Sequence, residues 1–390
     1  MTEFPILDSP FMTTPSSSDS IQKTFLKYQH VFVFLAPVLF VAGVYTGAPT
    51  EGSGSSYWLE YWWLFFFFLL GATIVNTVGI SGSALFVPFL IFIFPLLAGE
   101  TLDSQTLVKI GLISESFGLS SSALAFIQYG LVDRKLALSL VLGAVPFVIA
   151  GALLSFVIPA PIFHALLGLA LIAASVLLFK ADLGHEEPGA SGDEADVSAD
   201  GGEQTDGLGA SSDPRSDGGH ASLPDDDDKL GPAGVETAED GTVTRVDRDG
   251  NDYSYSRGGY LERFGNYSIG GVFQGLAGFG VGELGIISML RTEVPVRVAI
   301  GTNHIVVALT AVLASLVHVF GGQFVPGAHN ISLASTPWNM VVWTVPATVT
   351  GGQIAPYVSA TVDTELLKQG VGVLFAVIAV ALFLMASGAF

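Results

Sequence analysis

The stretch Gly79-Ile-Ser-Gly-Ser-Ala-Leu-Phe lies inside an apolar run of 38 residues, Trp58–Pro95. A second stretch, Gly278-Phe-Gly-Val-Gly-Glu-Leu-Gly, stands at the matching place in another apolar run about 200 residues later. Both runs are apolar enough to enter a bilayer, yet glycines stand where a helix should be continuous. A helix interrupted at membrane depth is tolerated only where it faces protein or a watery cavity. Paired interruptions in two halves of a chain indicate the binding site of a transporter.

The composition is typical of an integral membrane protein that crosses the bilayer several times. Half of the 390 residues are hydrophobic, only 13% are charged, and the mean hydropathy is +0.59. A soluble domain of this size carries roughly twice that fraction of charge. The chain has no cysteine, which excludes disulfides, thiolate metal sites and cysteine nucleophiles. We therefore predict an all-α, multi-pass protein of the cell membrane with about nine membrane segments.

Most of the negative charge lies in one segment. Residues 181–260 hold 21 acidic and 5 basic residues, a balance of −16 out of −20 for the whole chain. The segment is rich in glycine and serine and poor in apolar residues, which predicts a disordered hydrophilic linker. Its charge disfavours nucleic acid as a partner. A strongly acidic, glycine-rich loop is also typical of a halophilic source.

These features divide the chain into five regions. Residues 1–26 are polar and rich in serine, threonine and proline, so we predict a disordered tail. Residues 27–47 are predicted to form an extra membrane helix. Two transmembrane repeats are predicted over 57–180 and 262–390, on either side of the acidic linker 181–260.

The two halves match in register. Pro146 and Gly151 of the first half fall opposite Pro346 and Gly351 of the second. Each half has a Gly-broken stretch, a span with small and polar residues, a span with a proline and a plain terminal span. We therefore predict an internal duplication. If the broken stretches are re-entrant hairpins, each half has an odd number of crossings and the two halves are inverted.

The same residues carry a resemblance to a known family. The chain resembles the sulfite exporter TauE/SafE family of anion permeases over residues 57–180 and 262–388. The resemblance rests on Gly79-Ile-Ser-Gly-Ser with Pro88, on Gly278-Phe-Gly-Val-Gly and on Ala299-Ile-Gly-Thr-Asn. It implies a small anion as substrate, sulfite or a sulfonate-type organosulfur anion, and a lipid bilayer as surroundings. Serines in place of two glycines of the first motif, and a glutamate inside the second, leave the substrate open.

The glycine-rich breaks are the first candidate binding site. A helix that restarts inside the membrane exposes backbone N–H groups and the positive end of its dipole, which bind an anion without a buried lysine. Serine hydroxyls would add hydrogen-bond donors. The alternative is that these glycines only let helices pack closely. The candidate substrate-binding residues in the breaks are Gly79, Ser81, Gly82, Ser83, Gly278, Gly280 and Gly282.

Glu115 and Glu283 are the ionisable residues deepest in apolar surroundings. A charge at the bilayer centre costs at least about 2.5–3.5 kcal/mol, so such residues usually face a cavity or carry a proton. We predict that both take part in proton coupling. The alternative is that each is a neutral acid that bonds to a neighbouring helix.

Polar residues near the start of the second span of each half are further candidates. Ser114, Thr302 and Asn303 could donate hydrogen bonds to an oxyanion, and His304 could titrate near physiological pH as a third proton-coupling residue. The alternative is ordinary hydrogen bonding between helices. Gln274 and its near counterpart Asn76 precede the breaks and could line the same cavity.

The remaining ionisable residues of the spans carry weaker expectations. Lys109, Arg291 and Arg297 lie at span ends and are expected to extend their charged groups to the membrane interface. On the side from which substrate enters, they could attract an anion. No role is predicted for His164 or His318.

The sequence therefore predicts a permease for a small anion, coupled to protons and working by alternating access around two breaks near the midplane. A carrier or channel for another small anion, such as a carboxylate, is one alternative. A membrane sensor or scaffold that uses the acidic linker for docking is another. An enzyme is disfavoured because the spans hold no HExxH or GxSxG motif. We predict no cofactor and no metal, and the sequence leaves open whether the chain forms a homo-oligomer.

Overall fold

Helices make up most of the described chain. The predicted tail 1–26 and most of the acidic linker, residues 181–233, lie outside the described residues. The computed structural model describes residues 28–50, 54–180, 234–239, 241–247, 252–321, 325, 333–359, 361 and 364–387.

The first half begins with a helix where the extra membrane segment is predicted. Its apolar run is interrupted where the sequence analysis places the first break. The helices are α1 (Gln29–Gly47), α2 (Ser55–Leu59), α3 (Leu64–Val78), α4 (Ser83–Phe92), α5 (Phe94–Ala98), α6 (Ser104–Gln128), α7 (Arg134–Ser155) and α8 (Ala160–Lys180).

The second half is preceded by three short strands and repeats the order of a broken helix followed by three long helices. A 3-10 turn at Leu333–Ser335 precedes the third of its long segments. The elements are β1 (Gly234–Thr237), β2 (Thr242–Val246), β3 (Asp252–Ser256), α9 (Tyr260–Ala277), α10 (Val281–Arg291), α11 (Val296–Phe320), α12 (Trp338–Ser359) and α13 (Thr364–Ala386).

The helices confirm the all-α membrane class. Large apolar side chains stand outward on several of them, among them Phe66, Leu142 and Val377, each more than half exposed. Such surfaces suit lipid and not water. Five helical segments are long and apolar enough to cross a membrane: Ser55–Val78, Ser104–Gln128, Arg134–Ser155, Val296–Phe320 and Gln369–Ala386. The number of about nine segments remains a prediction.

The first broken stretch folds back on itself. The ring of Phe68 in α3 stacks on Phe86 in α4 at 4.4 Å, and Phe67 meets Phe89 at 4.7 Å. Because residues on α3 pair with residues on α4 in reverse order, the two arms run antiparallel. Residues 64–92 therefore form a helical hairpin (hairpin 1) whose two ends lie on the same side of the bundle.

The second broken stretch makes the same fold. Arg263 near the start of α9 donates through Nε to Thr292 Oγ1 just past the end of α10, at 2.7 Å. Near the turn, a Cβ added to Gly270 would stand 2.6 Å from the carbonyl oxygen of Gly280. Residues 260–291 therefore form hairpin 2, so both Gly-broken stretches fold back on themselves.

The two hairpins enter from opposite ends of the bundle. Hairpin 1 opens at the end where Tyr61 donates to Glu100 and where Asp103 starts α6; we call this end the Asp103 face. Helix α6 crosses to the other end, the Asp133 face, where Arg257, three residues before hairpin 2, bonds to Asp133. The halves therefore run in opposite directions, as expected for re-entrant hairpins. The internal duplication itself remains a prediction.

Each hairpin packs on the third helix of the opposite half. A Cβ on Gly151 in α7 would stand 2.0 Å from the carbonyl oxygen of Val272 in α9. A Cβ on Gly351 in α12 would stand 2.7 Å from the Cβ of Ala72 in α3. Any larger side chain at either position would push a hairpin arm away. The two glycines that fall opposite each other in the sequence therefore serve the same close helix contact.

The prediction of a wholly disordered linker over 181–260 is wrong at its C-terminal end. Strands β1, β2 and β3 form an antiparallel sheet, with Gly234 paired to Val246 and Thr242 paired to Ser256. Val243 in the central strand is fully buried. The alternating pattern of β2 gives the sheet one inward face, which the high average charge of the segment conceals.

Candidate functional site

Glycines in a left-handed backbone conformation end the first arm of each hairpin. Gly79 has φ +84° and caps α3, and Gly278 has φ +86° and caps α9. Gly280, with φ +126°, precedes α10. Residues with a side chain rarely adopt these angles, so glycine is required where the chain must turn back. The predicted breaks are confirmed at both places.

The tips of the two hairpins touch. The backbone N–H of Ser81 donates to Glu283 Oε1 at 3.1 Å, and Ser81 Oγ accepts from the N–H of Gly282 at 3.3 Å. A Cβ on Gly282 would stand 2.5 Å from Ser81 N, so only glycine permits this approach. Glu283 also accepts from the N–H of Gly280 through Oε2 at 2.7 Å, which satisfies one backbone donor at the start of α10.

The second glutamate binds the restart of hairpin 1. Glu115, near the middle of α6, accepts through Oε2 from Ser83 N at 2.9 Å and from Ser83 Oγ at 2.5 Å. Gln274 donates through Nε2 to Glu115 Oε1 at 3.1 Å and accepts from Ser81 Oγ at 3.3 Å. Gln274 therefore joins the two glutamate clusters into one buried network.

Asn303 binds both breaks at once. Its Nδ2 donates to the carbonyl oxygens of Gly79 at 2.9 Å and Gly282 at 2.8 Å, and its Oδ1 accepts from Tyr267 OH at 2.8 Å. The amide is fully buried and uses three of its four hydrogen-bonding positions. Asn303 thus holds the two hairpin tips together from α11.

The donors that the sequence analysis assigns to an external anion hold the protein's own carboxyl groups. The backbone N–H groups of Ser81, Ser83 and Gly280 all donate to Glu115 or Glu283. Hydrogen bonds of this kind contribute about 1.5–3 kcal/mol each when the acceptor is ionised. The breaks therefore form a cradle of amide donors occupied by two tethered acids.

Three predicted site residues lie elsewhere. Ser114 donates to Thr344 Oγ1 at 2.7 Å and so faces α12. Its neighbour Glu115 faces the hairpins instead, because successive helix residues point about 100° apart. Thr302 accepts from Asp133 N at 3.0 Å at the Asp133 face. His304 lies 3.2 Å through Nδ1 from Ser122 Oγ. Among the described residues, none of these three side chains forms a hydrogen bond with the hairpin tips.

Other predicted residues also have defined places. The amide Nδ2 of Asn76 bonds back to the carbonyl of Ala72 in its own helix at 2.7 Å, so it does not mirror Gln274. Lys109, expected at the membrane interface, is buried with 1% exposure and donates through Nζ to Ser335 Oγ at 2.7 Å. Arg291 is exposed and pairs with Glu262 at 3.1 Å.

The sheet and the α6–α7 loop meet at the Asp133 face. Asp133 accepts through Oδ2 from Tyr255 OH at 2.9 Å and from Arg257 Nε at 2.8 Å, and Arg245 donates to the carbonyl of Gly130 at 2.6 Å. On the second half, Arg297 pairs with Asp247 at 3.2 Å. The sheet therefore ties the first half to the start of α11.

Hydrogen bonding sets the charge of this junction. Burial by itself would raise the pKa of Asp133, but bonds from Arg257, the Leu136 N–H and Tyr255 outweigh it and hold the pKa below its ordinary value. Burial, with the neighbouring Asp133 carboxylate, raises the pKa of Tyr255 to about 12 despite the opposing charge of Arg245. Asp133 is therefore an anion and Tyr255 a neutral donor at neutral pH.

Sequence reasoning missed Tyr267 and Asp133 as parts of this arrangement. Asp133 starts a helix, and an aspartate there signals an N-cap first. Tyr267 is fully buried, and its partner Asn303 is 36 residues away. Among the described residues, no group of three or more histidine, aspartate or glutamate side chains could hold a metal ion.

Comparison with known proteins gives one match. The family model described as "Sulfite exporter TauE/SafE" matches residues 64–382, which include both hairpins, the long helices α6, α7, α8, α11 and α12, and most of α13. Comparison of the chain with curated proteins and with solved structures finds no significant match. The family comprises membrane transporters of anions, in agreement with the apolar helices and the amide cradle. The chain belongs to the sulfite exporter TauE/SafE family.

Proposed function

We propose that this protein is a permease of the cell membrane for sulfite or a sulfonate-type organosulfur anion, coupled to protons and working by alternating access. The observation that carries the proposal is the cradle at the hairpin tips. Three backbone N–H groups at two helix breaks converge on carboxyl oxygens of Glu115 and Glu283. Donors that hold a carboxylate can hold another oxyanion of similar size and charge.

The tethered acids suggest how proton and anion exchange. When a glutamate takes up a proton, its charge-assisted bonds to the amide donors weaken, and the donors become available to an incoming anion. Loss of the proton restores the carboxylate, which then competes for the same donors and favours release. One proton moving with one singly charged anion also removes the cost of a net charge crossing the bilayer.

The hairpin arrangement supplies the moving parts. Each hairpin packs on the third helix of the other half. Among the described side chains of α11, Asn303 is the one that bonds to both tips. Rocking of one half against the other would carry the tips together while exposing them to alternate faces.

The direct test is uptake of labelled sulfite into proteoliposomes, with and without an imposed pH gradient. We expect gradient-driven uptake by the native protein and its loss in Glu283→Gln. Glu262→Gln, the same change on the surface of the same hairpin, is the matched control and should transport normally. Sulfite uptake that survives unchanged in Glu283→Gln would remove the carboxyl from the mechanism.

The same assay separates the alternatives. Uptake of a small carboxylate in preference to sulfite would identify a carrier with another substrate. Absence of flux with every anion tested, together with normal folding, would favour a sensor or scaffold. In that case the acidic segment 185–230 should be essential, whereas a transporter should tolerate its deletion.

A further inference from the structure

A cavity of about 250 Å³ lies at the Asp103 face. Its rim is formed by exposed residues at the starts of α6 and α8, including Asp103 and Ala160, and its floor by buried Leu276 and His318. The volume is enough for several water molecules. Leu276 lies two residues before Gly278, so the cavity leads from one face of the bundle to the tip of hairpin 2. The lining residues are Asp103, Ser104, Gln105, Val108, Ser155, Ile158, Ala160, Phe163, Leu276 and His318.

His318, which lines this cavity, has a hydrogen-bond partner at one of its two ring nitrogens. Its Nε2 lies 2.8 Å from the carbonyl oxygen of Gly275, and its side chain is 1% exposed. A carbonyl oxygen only accepts, so Nε2 carries the hydrogen and Nδ1 of the neutral ring has a free lone pair. Among the described residues, Nδ1 has no hydrogen-bond partner. A buried acceptor of this kind, beside a cavity large enough for water, can take a proton.

The groups around His318 act on an added positive charge in opposite senses, and burial of the ring opposes the charge. Gly275 lies in the last turn of α9, where carbonyl groups lack helical partners and the helix dipole is negative. The charged groups nearby come from α6: Asp103 at the rim favours an imidazolium, and buried Lys109 opposes it. The lining residues contributed by α7, α8 and α9 carry no titratable side chain. The ring is therefore neutral at rest, and a proton taken up from the cavity would be held only transiently, by the bond to Gly275.

His318 is also linked to the cradle. Gly275 follows Gln274, whose side chain bridges Glu115 and Ser81. A Cβ on Gly275 would stand 2.0 Å from the carbonyl oxygen of Val148, so this turn of α9 cannot shift independently of α7. A charge on His318 strengthens its bond to Gly275 and acts on the turn that positions Gln274.

We propose that His318 is the residue at which the coupling proton is loaded, through the cavity at the Asp103 face. A hydronium ion in the cavity gives its proton to Nδ1: one O–H bond breaks, one N–H bond forms, and water remains. The imidazolium keeps its Nε2 bond to Gly275 and carries the positive charge at the end of α9. This inference rests on the proposed proton-coupled transport. It gives His318, which lines the cavity, the histidine role that the sequence analysis assigns to His304, which is not among the lining residues.

The first experiment uses His318→Gln. The glutamine amide can replace Nε2 as donor to Gly275 but cannot titrate. We expect His318→Gln to retain exchange of labelled sulfite against unlabelled sulfite at equal pH. The ratio of uptake with a pH gradient to uptake without one should fall to unity. His164→Gln, the same change on α8 outside the cavity lining, is the matched control and should keep the native ratio.

The outcomes separate this inference from the proposed function. Retained gradient response in His318→Gln, with loss in Glu283→Gln, overturns the inference and leaves proton-coupled transport in place. Absence of any gradient response in the native protein overturns both. If His318→Gln loses exchange as well as coupling, the residue is structural and the inference fails.

The second experiment tests access to the cavity and uses the absence of cysteine in the chain. Ser155→Cys places a thiol in the cavity lining, and Ser122→Cys places one at a fully buried position outside that lining. We expect a small charged thiol reagent to modify Ser155→Cys from one face of oriented vesicles and to spare Ser122→Cys. Equal protection of both thiols from both faces would contradict a water-filled route to His318.

Discussion

The two helix breaks share a backbone design and differ in what surrounds them. At the first break, the carbonyl of Gly79 is held by the neutral amide of Asn303, and Ile300 of α11 packs against the turn. At the second, the same amide holds the carbonyl of Gly282, and three residues before Gly278 the carbonyl of Gly275 is held by the titratable ring of His318 beside a cavity. The turns at Gly79 and Gly278 therefore have similar backbone angles, while a titratable ring and a cavity lie beside the second.

The Asp133 face and the Asp103 face of the bundle also differ from each other. At the Asp133 face, Asp133 pairs with Arg257 and Asp247 pairs with Arg297, and these pairs of buried carboxylates with partly exposed arginines tie the halves together. At the Asp103 face, the described residues leave a cavity that reaches the tip of hairpin 2. The two faces of the bundle therefore differ: ion pairs link the halves at the Asp133 face, and a cavity opens at the Asp103 face.

The largest effect is expected where one residue serves both breaks. Asn303→Asp would place a carboxylate oxygen against the carbonyl oxygens of Gly79 and Gly282. Leaving a buried charge without a partner costs about 3–5 kcal/mol. We expect a large fall in melting temperature in detergent and loss of transport. Asn266→Asp, the same change at a half-buried position of α9, is the control, and equal melting temperatures would show that Asn303 does not join the breaks.

A smaller effect is expected from the contact between the tips. Gly282→Ala would place a methyl group 2.5 Å from Ser81 N. Overpacking of this kind costs about 1–3 kcal/mol, and here it would push hairpin 2 from hairpin 1. We expect reduced transport and a lower melting temperature. Gly265→Ala, with nothing within 4 Å of the added carbon, should be neutral, and similar behaviour of the two variants would argue against contact between the tips.

The stability of the sheet at the Asp133 face should depend on pH in the acid range. The pKa of Asp133 is lowered in the folded protein, so its stabilising bonds are present above its ordinary pKa and are lost as pH falls through the folded value. We expect hydrogen-exchange protection of residues 242–247 and 252–256 to fall as the pH drops below about 4. Asp133→Asn should weaken the sheet at neutral pH, by about 1.5–3 kcal/mol, and abolish this acid dependence. An unchanged acid response in the variant would assign the effect to another group.

The smallest effect is expected at the open end of hairpin 2. Arg291 and Glu262 form an ion pair there with the arginine side chain 69% exposed. Exposed pairs contribute about 0–1 kcal/mol. We expect Glu262→Gln to change the melting temperature little in low salt and not at all in high salt. A large change would mean that this end is not surrounded by water.

The sequence predicts the breaks and the acids more reliably than their partners. Gly79 and Gly278 are identifiable because several glycines together rarely interrupt an apolar run unless the helix itself is interrupted. Glu115 and Glu283 are identifiable because lone charges in apolar surroundings are costly. Asn303 and its neighbour Thr302 look equally suitable in sequence, and only the rotation of α11 against the hairpins separates them.

Contacts between residues far apart in the chain determine the features that the sequence does not predict. Gln274 reaches Glu115 across 159 residues, and no local pattern predicts that pairing. The fold-back of each hairpin depends on contacts such as Arg263 with Thr292, whereas local propensity is equally compatible with a kinked span. The sheet at residues 234–256 escapes prediction because short strands in a highly charged segment resemble their surroundings in composition.

The bond between Asn303 and Gly79 also constrains how the protein can be made. Hairpin 1 is synthesised early, but its tip exposes polar backbone groups that lipid cannot satisfy. The amide that satisfies the carbonyl of Gly79 lies 224 residues further along the chain. At about 5–20 residues per second, the ribosome takes roughly 10–45 seconds to reach it. Hairpin 1 precedes α11 in the chain, so its tip gains this partner only after most of the protein has been translated.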